Sequence, residues 1–216
     1  MGNDNQHQHF KLKICVSGAA DTSHCGDGAM ETAKALGREI AEQGAILVTG
    51  ATTGFPLWTA MGCKEAGGVS IGLSPATSEK EHVEVYGLPL DYLDLIIYTG
   101  FGYSGRNLLL TRTSDGVIVG CGRIGTVNEF TIAFEDHRPI GVLEGPWDMD
   151  EVLKLMLDKS HRGDEGTIVF ADSPKTLVTK LLDTIKSKKL CDLGEKCPFY
   201  ANADGVGGGK MGDQVL

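Results

Sequence analysis

The sequence lacks long apolar runs: no stretch approaches the roughly 18 consecutive apolar residues that a membrane-spanning helix needs. The first ten residues, MGNDNQHQHF, also lack the apolar segment of a secretion signal, so we expect a cytoplasmic protein in which residues 1–9 form a disordered polar lead. Positive charge is in deficit as well, with 20 Lys and Arg against 29 Asp and Glu and a net charge of -9. Because nucleic acids and anionic membranes are bound through clustered cations, we expect neither as a partner.

Paired cysteine motifs are missing too. The six cysteines stand at positions 15, 25, 63, 121, 191 and 197, and no Cys-x-x-Cys occurs among them. His24-Cys25 and the pair Cys191 and Cys197 come nearest to a metal motif, but neither has the tight spacing of a tetrahedral zinc site. In a chain of this length without a secretion signal, a disulfide framework is also disfavoured. The sequence therefore predicts free buried or tail thiols and no metal.

Two common glycine-rich nucleotide motifs are absent. No G-x-G-x-x-G joins the first predicted strand to the first predicted helix, and no G-x-x-x-x-G-K-[ST] occurs in the chain. An ordinary NAD-binding domain and a P-loop NTPase are therefore disfavoured.

What the sequence does contain is a regular alternation of short apolar runs with segments of helical periodicity. Strands are predicted at residues 11–17, 45–49, 69–73, 93–98, 116–119, 140–143 and 167–170, and helices at 28–43, 56–66, 106–114, 126–136, 150–159 and 173–188. The strands are continuous Val, Ile and Leu runs, which is typical of a parallel sheet covered on both faces. We therefore predict an α/β protein with a doubly wound, Rossmann-like parallel sheet of about seven strands and helices on both faces. The domain spans residues 10–188, a Gly-rich disordered tail follows at 189–216, and residues 76–86 stay unassigned.

Turns rich in small residues follow four of the predicted strands. In an open parallel sheet, ligands bind outside the carboxyl ends of the strands, where backbone amides and helix N-termini attract anions. A single glycine turn is often mere geometry, but four at one sheet edge, with two arginines among them, favour a phosphate-bearing ligand. The residues expected to bind it are Gly18, Gly50, Thr53, Gly54, Gly102, Ser104, Gly105, Gly122, Arg123, Gly125 and Thr126.

The segment RNLLLTRTSDGVIVGCGRIGTVNE, from Arg106 to Glu129, resembles the signature of the LOG-like (Lonely Guy) family within the SLOG group of Rossmann-like nucleotide-binding proteins. Family members carry an Arg-Lys pair, an Asp before the fifth strand, and then P-G-G-x-G-T-x-x-E. The residues at matching spacings are Arg106, Arg112, Asp115, Gly122, Gly125, Thr126 and Glu129. The resemblance extends more loosely over residues 12–185 and lies near the branch that contains molybdenum-cofactor carrier-like proteins.

The resemblance implies a homodimer and, in the enzymatic members, a phosphoribohydrolase without a cofactor. Such an enzyme cleaves the N-glycosidic bond of a nucleoside 5'-monophosphate to free base and ribose 5-phosphate. Carried over to this chain, Arg106 and Glu129 would be catalytic, because a carboxylate beside the ribose can stabilise an oxocarbenium-like transition state and an arginine can neutralise the phosphate. The alternative is a non-catalytic binder or carrier of a phosphorylated cofactor, such as molybdopterin, or a nucleotide sensor.

Three residues depart from the family pattern. Cys121 replaces the proline, Arg123 replaces the second glycine, and Asn107 replaces the lysine beside the arginine. The loss of the glycine matters most, because a side chain now stands where bare backbone would approach the ligand. Arg123 either supplies a new contact to an anion or narrows the pocket.

Overall fold

The computed structural model describes residues 11–162 and 166–192, so the predicted lead at 1–9 and most of the predicted tail at 189–216 lie outside the described residues. Within that part of the chain, strands and helices alternate as the sequence predicts. In chain order the elements are β1 Lys13–Ser17, α1 Ala29–Glu42, β2 Ile46–Thr49, α2 Phe55–Glu65, β3 Ser70–Ser74, α3 Glu79–Glu84, β4 Leu95–Tyr98, α4 Gly102–Arg112, β5 Gly116–Val119, α5 Ile124–Glu135, β6 Ile140–Leu143, α6 Met149–Ser160, β7 Ile168–Ala171 and α7 Pro174–Asp192.

The strands form one seven-stranded sheet in the order β4-β3-β2-β1-β5-β6-β7, and every neighbouring pair is parallel. The chain builds outward from β1 on one side and then crosses back to start the other half at β5. The predicted α/β doubly wound, Rossmann-like fold is confirmed. Because the strand order reverses between β1 and β5, a crevice is expected at the carboxyl ends of these two strands.

The two central strands are buried along almost their whole length, which is why they are continuous apolar runs. Ile14, Cys15 and Val16 of β1 have no exposed surface, and Val117–Val119 of β5 are at most 1% exposed. On the helical layers, α1 packs against α2 and α7, while α4 packs against α5. None of the helices in the described residues is both long enough and apolar enough to cross a membrane.

Three helices differ from the prediction. The six-residue helix α3 occupies the unassigned segment, and the side chain of Ser78 caps it by accepting from the Glu81 amide at 3.3 Å. Helix α4 begins at Gly102 rather than at residue 106, so part of the predicted glycine loop is helical. Helix α7 continues to Asp192, into the segment predicted as tail.

Candidate functional site

A cavity of about 310 Å³ opens at the carboxyl edge of the sheet, beside the switch point between β1 and β5. Its walls come from the turn after β1, the turn after β2, the first turns of α4 and the start of α5. The residues in it that the sequence analysis singled out are Gly18, Gly50, Arg106, Arg123, Gly125, Thr126 and Glu129. The structure therefore gathers both predicted catalytic residues and much of the predicted ligand set around one space.

Several predicted ligand residues do not line this cavity: Thr53, Gly54, Gly102, Ser104, Gly105 and Gly122. Thr53 donates its hydroxyl to the carbonyl of Ala20 at 3.2 Å and so supports the turn after β1. Gly102, Ser104 and Gly105 belong to the first turn of α4, which starts earlier than predicted. These residues shape the turns rather than line the cavity.

Main-chain hydrogen bonds fasten three of the turns to one another. The Ala19 amide donates to the Cys121 carbonyl at 2.8 Å, and the Phe55 amide donates to the Ala19 carbonyl at 2.9 Å. The ring of Phe55 packs beneath two of the glycines, because a Cβ at Gly18 or Gly120 would come within 2.8 or 2.4 Å of Phe55 atoms. Glycine at these two positions is thus required by close packing and by itself indicates no ligand.

Arg106 is a buried cation whose hydrogen bonding is incomplete. It lies on α4, is 5% exposed, and places Nη1 3.5 Å from Oε1 of Glu129, with its guanidinium 5.7 Å from the centre of the Tyr103 ring. Its Nε is buried and has no hydrogen-bond partner among the described residues. A Cβ at Gly50 would lie 1.7 Å from Nη1, so the guanidinium occupies space that only glycine leaves free. Since buried donors are rarely left unpaired, Arg106 is a lining cation with spare hydrogen-bonding capacity.

Glu129 is also buried, at 6% exposed, and both of its oxygens are engaged. Oε2 accepts from the hydroxyl of Ser17, the last residue of β1, and Oε1 faces Arg106. Asn107, with its amide nitrogen turned toward the carboxylate, donates to Oε1 at 2.9 Å and to the carbonyl of Tyr103 at 3.0 Å. Burial raises the pKa of Glu129 above its ordinary value, while Arg106 and Ser17 act in the opposite direction. Ser17, Asn107 and Arg106 together hold the Glu129 carboxylate in place.

Arg123 lies at the rim of the cavity. It forms an ion pair with Asp21 at 3.0 Å, and the two side chains are 60% and 61% exposed. Hydrogen bonds from Ser23 hold the pKa of Asp21 below its ordinary value, and the charge of Arg123 adds to this effect. The arginine that replaces the family's glycine therefore links the turn after β1 to the start of α5, with its charge balanced by a carboxylate.

The helix N-terminus at α5 supplies further positive charge. Helix α5 begins at Ile124, and Gly125 and Thr126 in its first turn line the cavity. The amides at a helix start carry about half a unit of positive charge between them. This end of α5 is the part of the wall best suited to a phosphate group.

The prediction of free thiols is wrong for two cysteines. Cys25, in the turn after β1, and Cys121, in the loop after β5, form a disulfide with a Cα–Cα distance of 5.6 Å. They are 96 residues apart, and only the meeting of the two strand ends brings them together, which spacing along the chain does not reveal. Cys15 and Cys63 are free and buried as predicted, whereas Cys197 and the side chain of Cys191 lie outside the described residues.

Sequence reasoning did not single out Ser17, Tyr103 or Asn107 as contributors to the site. Ser17 is the last residue of the first predicted strand. Because ligand sites lie at the carboxyl ends of such strands, this position is the feature of the sequence that points to Ser17. Tyr103 lies within a segment whose glycines predict a loop. Asn107 departs from the family's lysine, and its contact with Glu129 depends on how α4 and α5 come together in the fold.

The parallel seven-stranded sheet, with a cavity at its switch point, defines a Rossmann-like α/β protein. The chain belongs to the SLOG cluster4 family, whose profile matches residues 11–178. The resemblance identified from the segment Arg106 to Glu129 is therefore confirmed at the level of the group.

Known structures of molybdenum-cofactor proteins share this fold over nearly their whole length. The molybdenum cofactor binding protein of the phototrophic bacterium Rippkaea orientalis is 27% identical with a TM-score of 0.67, and the match covers 82% of this chain and 99% of that one. The molybdenum cofactor carrier protein of Chlamydomonas reinhardtii is 28% identical with a TM-score of 0.64, and the match covers 82% and 99%. An uncharacterized protein of Archaeoglobus fulgidus is 27% identical over 135 residues, which are 62% of this chain and 83% of that protein.

Proposed function

We propose that the protein binds a phosphorylated small molecule in this cavity and holds it without cleaving it, as a binding or carrier protein. The observation on which the proposal rests is the contrast between Arg106 and Glu129. Arg106 offers a buried Nε without a partner among the described residues, whereas both oxygens of Glu129 are taken up by the protein itself. The cavity is thus lined by a cation with spare hydrogen-bonding capacity and by a carboxylate whose two oxygens are already engaged.

The charges around the cavity favour one phosphate group over a larger anion. The charges of the side chains that line the cavity cancel, because Arg106 faces Glu129 and Arg123 faces Asp21. The N-terminus of α5 adds about half a positive charge that no lining side chain offsets. A phosphate at this helix start would accept from the amide of Gly125 and from Arg106, whereas the Thr126 amide already donates to the Arg123 carbonyl at 2.9 Å.

The setting of Glu129 argues against cleavage. In glycoside hydrolysis a carboxylate has to reach the sugar, either to protonate the leaving group or to stabilise the cationic carbon. Glu129 would have to give up the hydroxyl of Ser17, the amide of Asn107 or the guanidinium of Arg106 to do so. Its contacts suit a second role, which is to fix Arg106 in the orientation that receives the ligand.

The chemical class of the ligand is supported by the related structures. Two of them bind or carry the molybdenum cofactor and match this chain at 27% and 28% identity over 82% of its length. A phosphorylated pterin fits the cavity's donors in the same way as a nucleotide, through its phosphate. We therefore propose phosphorylated pterins of the molybdopterin class and nucleoside monophosphates as the ligands to test.

Hydrolysis remains the second candidate because the residues that the LOG-like resemblance makes catalytic, Arg106 and Glu129, do lie together in one cavity. Isothermal titration with AMP and with a phosphorylated pterin, together with chromatographic detection of free base from a panel of nucleoside monophosphates, separates the two functions. The carrier proposal expects binding without base release, and binding weakened at least about tenfold by Arg106→Met, which equals about 1.4 kcal/mol. Base release by the wild-type protein that Glu129→Gln abolishes would establish hydrolysis and refute the carrier role.

We further propose that two copies associate through the outer face of β4, in keeping with the homodimer that the resemblance implies. β4 is an edge strand of the sheet, and its alternate residues Leu95 and Ile97 are 53% and 47% exposed. Phe101, in the turn that follows, is 68% exposed. An open sheet edge flanked by large apolar side chains is a surface that proteins ordinarily cover.

A further inference from the structure

Three side chains meet where the turn after β1 touches the loop after β5. Cys25 and Cys121 are joined and fully buried, while His24 lies exposed above them. The Nε2 atom of His24 is 3.5 Å from Sγ of Cys121 and 3.1 Å from the carbonyl of Gly122, to which it donates. The cluster is separate from the cavity wall, but Cys121 and Gly122 lead directly into Arg123, which does line the cavity.

We propose that Cys25 and Cys121 are a reversible thiol pair, which hydrogen peroxide closes into the disulfide and a dithiol reductant reopens. Closure holds the loop after β5, and with it the start of α5, against the turn after β1.

The burial of the two cysteines limits how fast they react. Neither residue has exposed surface, so both oxidation by peroxide and reduction by a dithiol require the two loops to part and expose the sulfur atoms. His24 favours Cys121 as the first to react, because the Nε2–H group 3.5 Å from its sulfur can donate a hydrogen bond to the Cys121 thiolate and stabilise that nucleophile.

The chemistry balances in two steps. The Cys121 thiolate attacks hydrogen peroxide, its sulfur takes one oxygen to become a sulfenic acid, and the hydroxide that leaves becomes water with the thiol proton. The Cys25 thiolate then attacks that sulfur, the sulfur–sulfur bond forms, and the sulfenic oxygen leaves as a second water. Two thiols and one peroxide thus give one disulfide and two waters. A dithiol reverses the step and is itself oxidised to a disulfide.

Cys15 and Cys63, the free cysteines of the described residues, are poorly suited to this reaction. Burial raises the pKa of Cys15 well above its ordinary value and the pKa of Cys63 to about 11. Their thiolate fraction at neutral pH is therefore very small. Cys63, on α2 and away from the cavity wall, is a matched control for the pair.

The disulfide is the strongest link between the two loops. Further links include the Ala19–Cys121 backbone hydrogen bond of 2.8 Å, the hydrogen bond of His24 to the Gly122 carbonyl and the ion pair of Arg123 with Asp21 at 3.0 Å. That ion pair is largely exposed, and exposed pairs stabilise little. We therefore expect the segment 121–127 to open more often when the thiols are reduced.

Amide hydrogen exchange of the full-length protein tests this expectation without any ligand. Peptides covering residues 121–127 should exchange at least about tenfold more slowly in the peroxide-treated protein than in the reduced one, a modest effect for a disulfide. Cys25→Ser should exchange like the reduced protein under both conditions, and Cys63→Ser should respond like the wild type. Equal exchange in the two wild-type states would overturn the proposal.

Trapping the intermediate tests the order of reaction. In Cys25→Ser, peroxide followed by dimedone should label Cys121 and leave Cys63 unlabelled, as read by peptide mass. Label at Cys63 equal to that at Cys121, or none at Cys121, would contradict the assignment.

Metal analysis tests whether the cluster binds zinc instead. Two thiolates and an imidazole are also zinc ligands, but the sulfur–sulfur bond in the structure occupies both sulfurs. One tightly held zinc ion per chain in the protein purified under reductant would overturn the thiol-pair proposal, and its absence would support it. None of these measurements requires ligand binding, so their failure is distinct from failure of the proposed function.

Discussion

Replacing Gly50 by alanine should weaken ligand binding by displacing Arg106. The new Cβ would lie 1.7 Å from Nη1, 2.6 Å from Cζ and 3.0 Å from Nη2 of Arg106. Because non-bonded carbon contacts settle near 3.5 Å, the guanidinium has to move by about 2 Å. It would then leave its position beside Glu129, where it is now 3.5 Å away.

The displacement of Arg106 should lower both the stability of the protein and its affinity for the ligand, by different amounts. The crowded atoms are the far end of a flexible side chain, so the free energy of unfolding should fall by only about 1–3 kcal/mol, as for other overpacked sites. Affinity for a phosphorylated ligand should fall at least about tenfold, because the displaced atoms include the donors that receive the ligand. The pKa of Glu129 should rise further, since Arg106 now acts to lower it.

A double-mutant cycle distinguishes this mechanism from general damage to the turn. Affinity is measured by titration calorimetry and stability by urea unfolding for Gly50→Ala, for Arg106→Met and for the two changes combined. If Gly50 acts through Arg106, Gly50→Ala has no further effect on affinity once Arg106 is methionine. Wild-type affinity in Gly50→Ala, or fully additive losses in the double variant, would refute the reasoning.

Three further predictions concern the rim, an ion pair and the sheet edge. Arg123→Gly should lower ligand affinity at most about fivefold in calorimetry, because the exposed pair that it loses is worth little. Arg112→Gln should lower the free energy of unfolding slightly at pH 7, because it removes the largely exposed ion pair with Asp136. Since Arg112 holds the pKa of Asp136 below its ordinary value, this contribution is complete above the ordinary carboxyl pKa and is lost as the pH falls through the lowered one. Ile97→Lys should convert dimer to monomer in light scattering, whereas Leu155→Lys, on α6 and 58% exposed against 47% for Ile97, should not.

Each of these predictions has a result that contradicts it. A larger loss for Arg123→Gly than for Arg106→Met would make the rim arginine the principal anion contact. An Arg112→Gln variant whose deficit persists unchanged at low pH would show that Asp136 is not its titrating partner. A wild-type protein that is monomeric at every concentration would remove the dimer proposal.

The strands were predictable because burial on both faces leaves a local signature. The predicted segments 116–119 and 140–143 coincide with β5 and β6, whose residues are all buried. The start of α4 was not predictable in this way. Gly102 and Gly105 each disfavour a helix by about 1 kcal/mol relative to alanine, so the local pattern indicates a loop, and the packing of α4 against α5 outweighs it.

The candidate site was predictable as an edge of the sheet but not as a set of contacts. Arg106 and Glu129 could be named from the family pattern, yet the engagement of Oε2 of Glu129 depends on Ser17, which is 112 residues away. The disulfide of Cys25 and Cys121 depends in the same way on two loops meeting in space. Contacts between remote segments leave no periodicity in the sequence, so the role of a residue is harder to predict than its location.

The backbone hydrogen bonds that join Cys121 to Ala19 and Ala19 to Phe55 have a consequence for how such a protein can diversify. They involve only peptide groups, so any side chain that fits at Ala19 or Cys121 leaves these two hydrogen bonds in place. Substitutions along the rim can change which ligand fits the cavity, while the hydrogen-bonded backbone of the turns keeps its form. A single architecture can in this way serve ligands that share a phosphate and differ in everything attached to it.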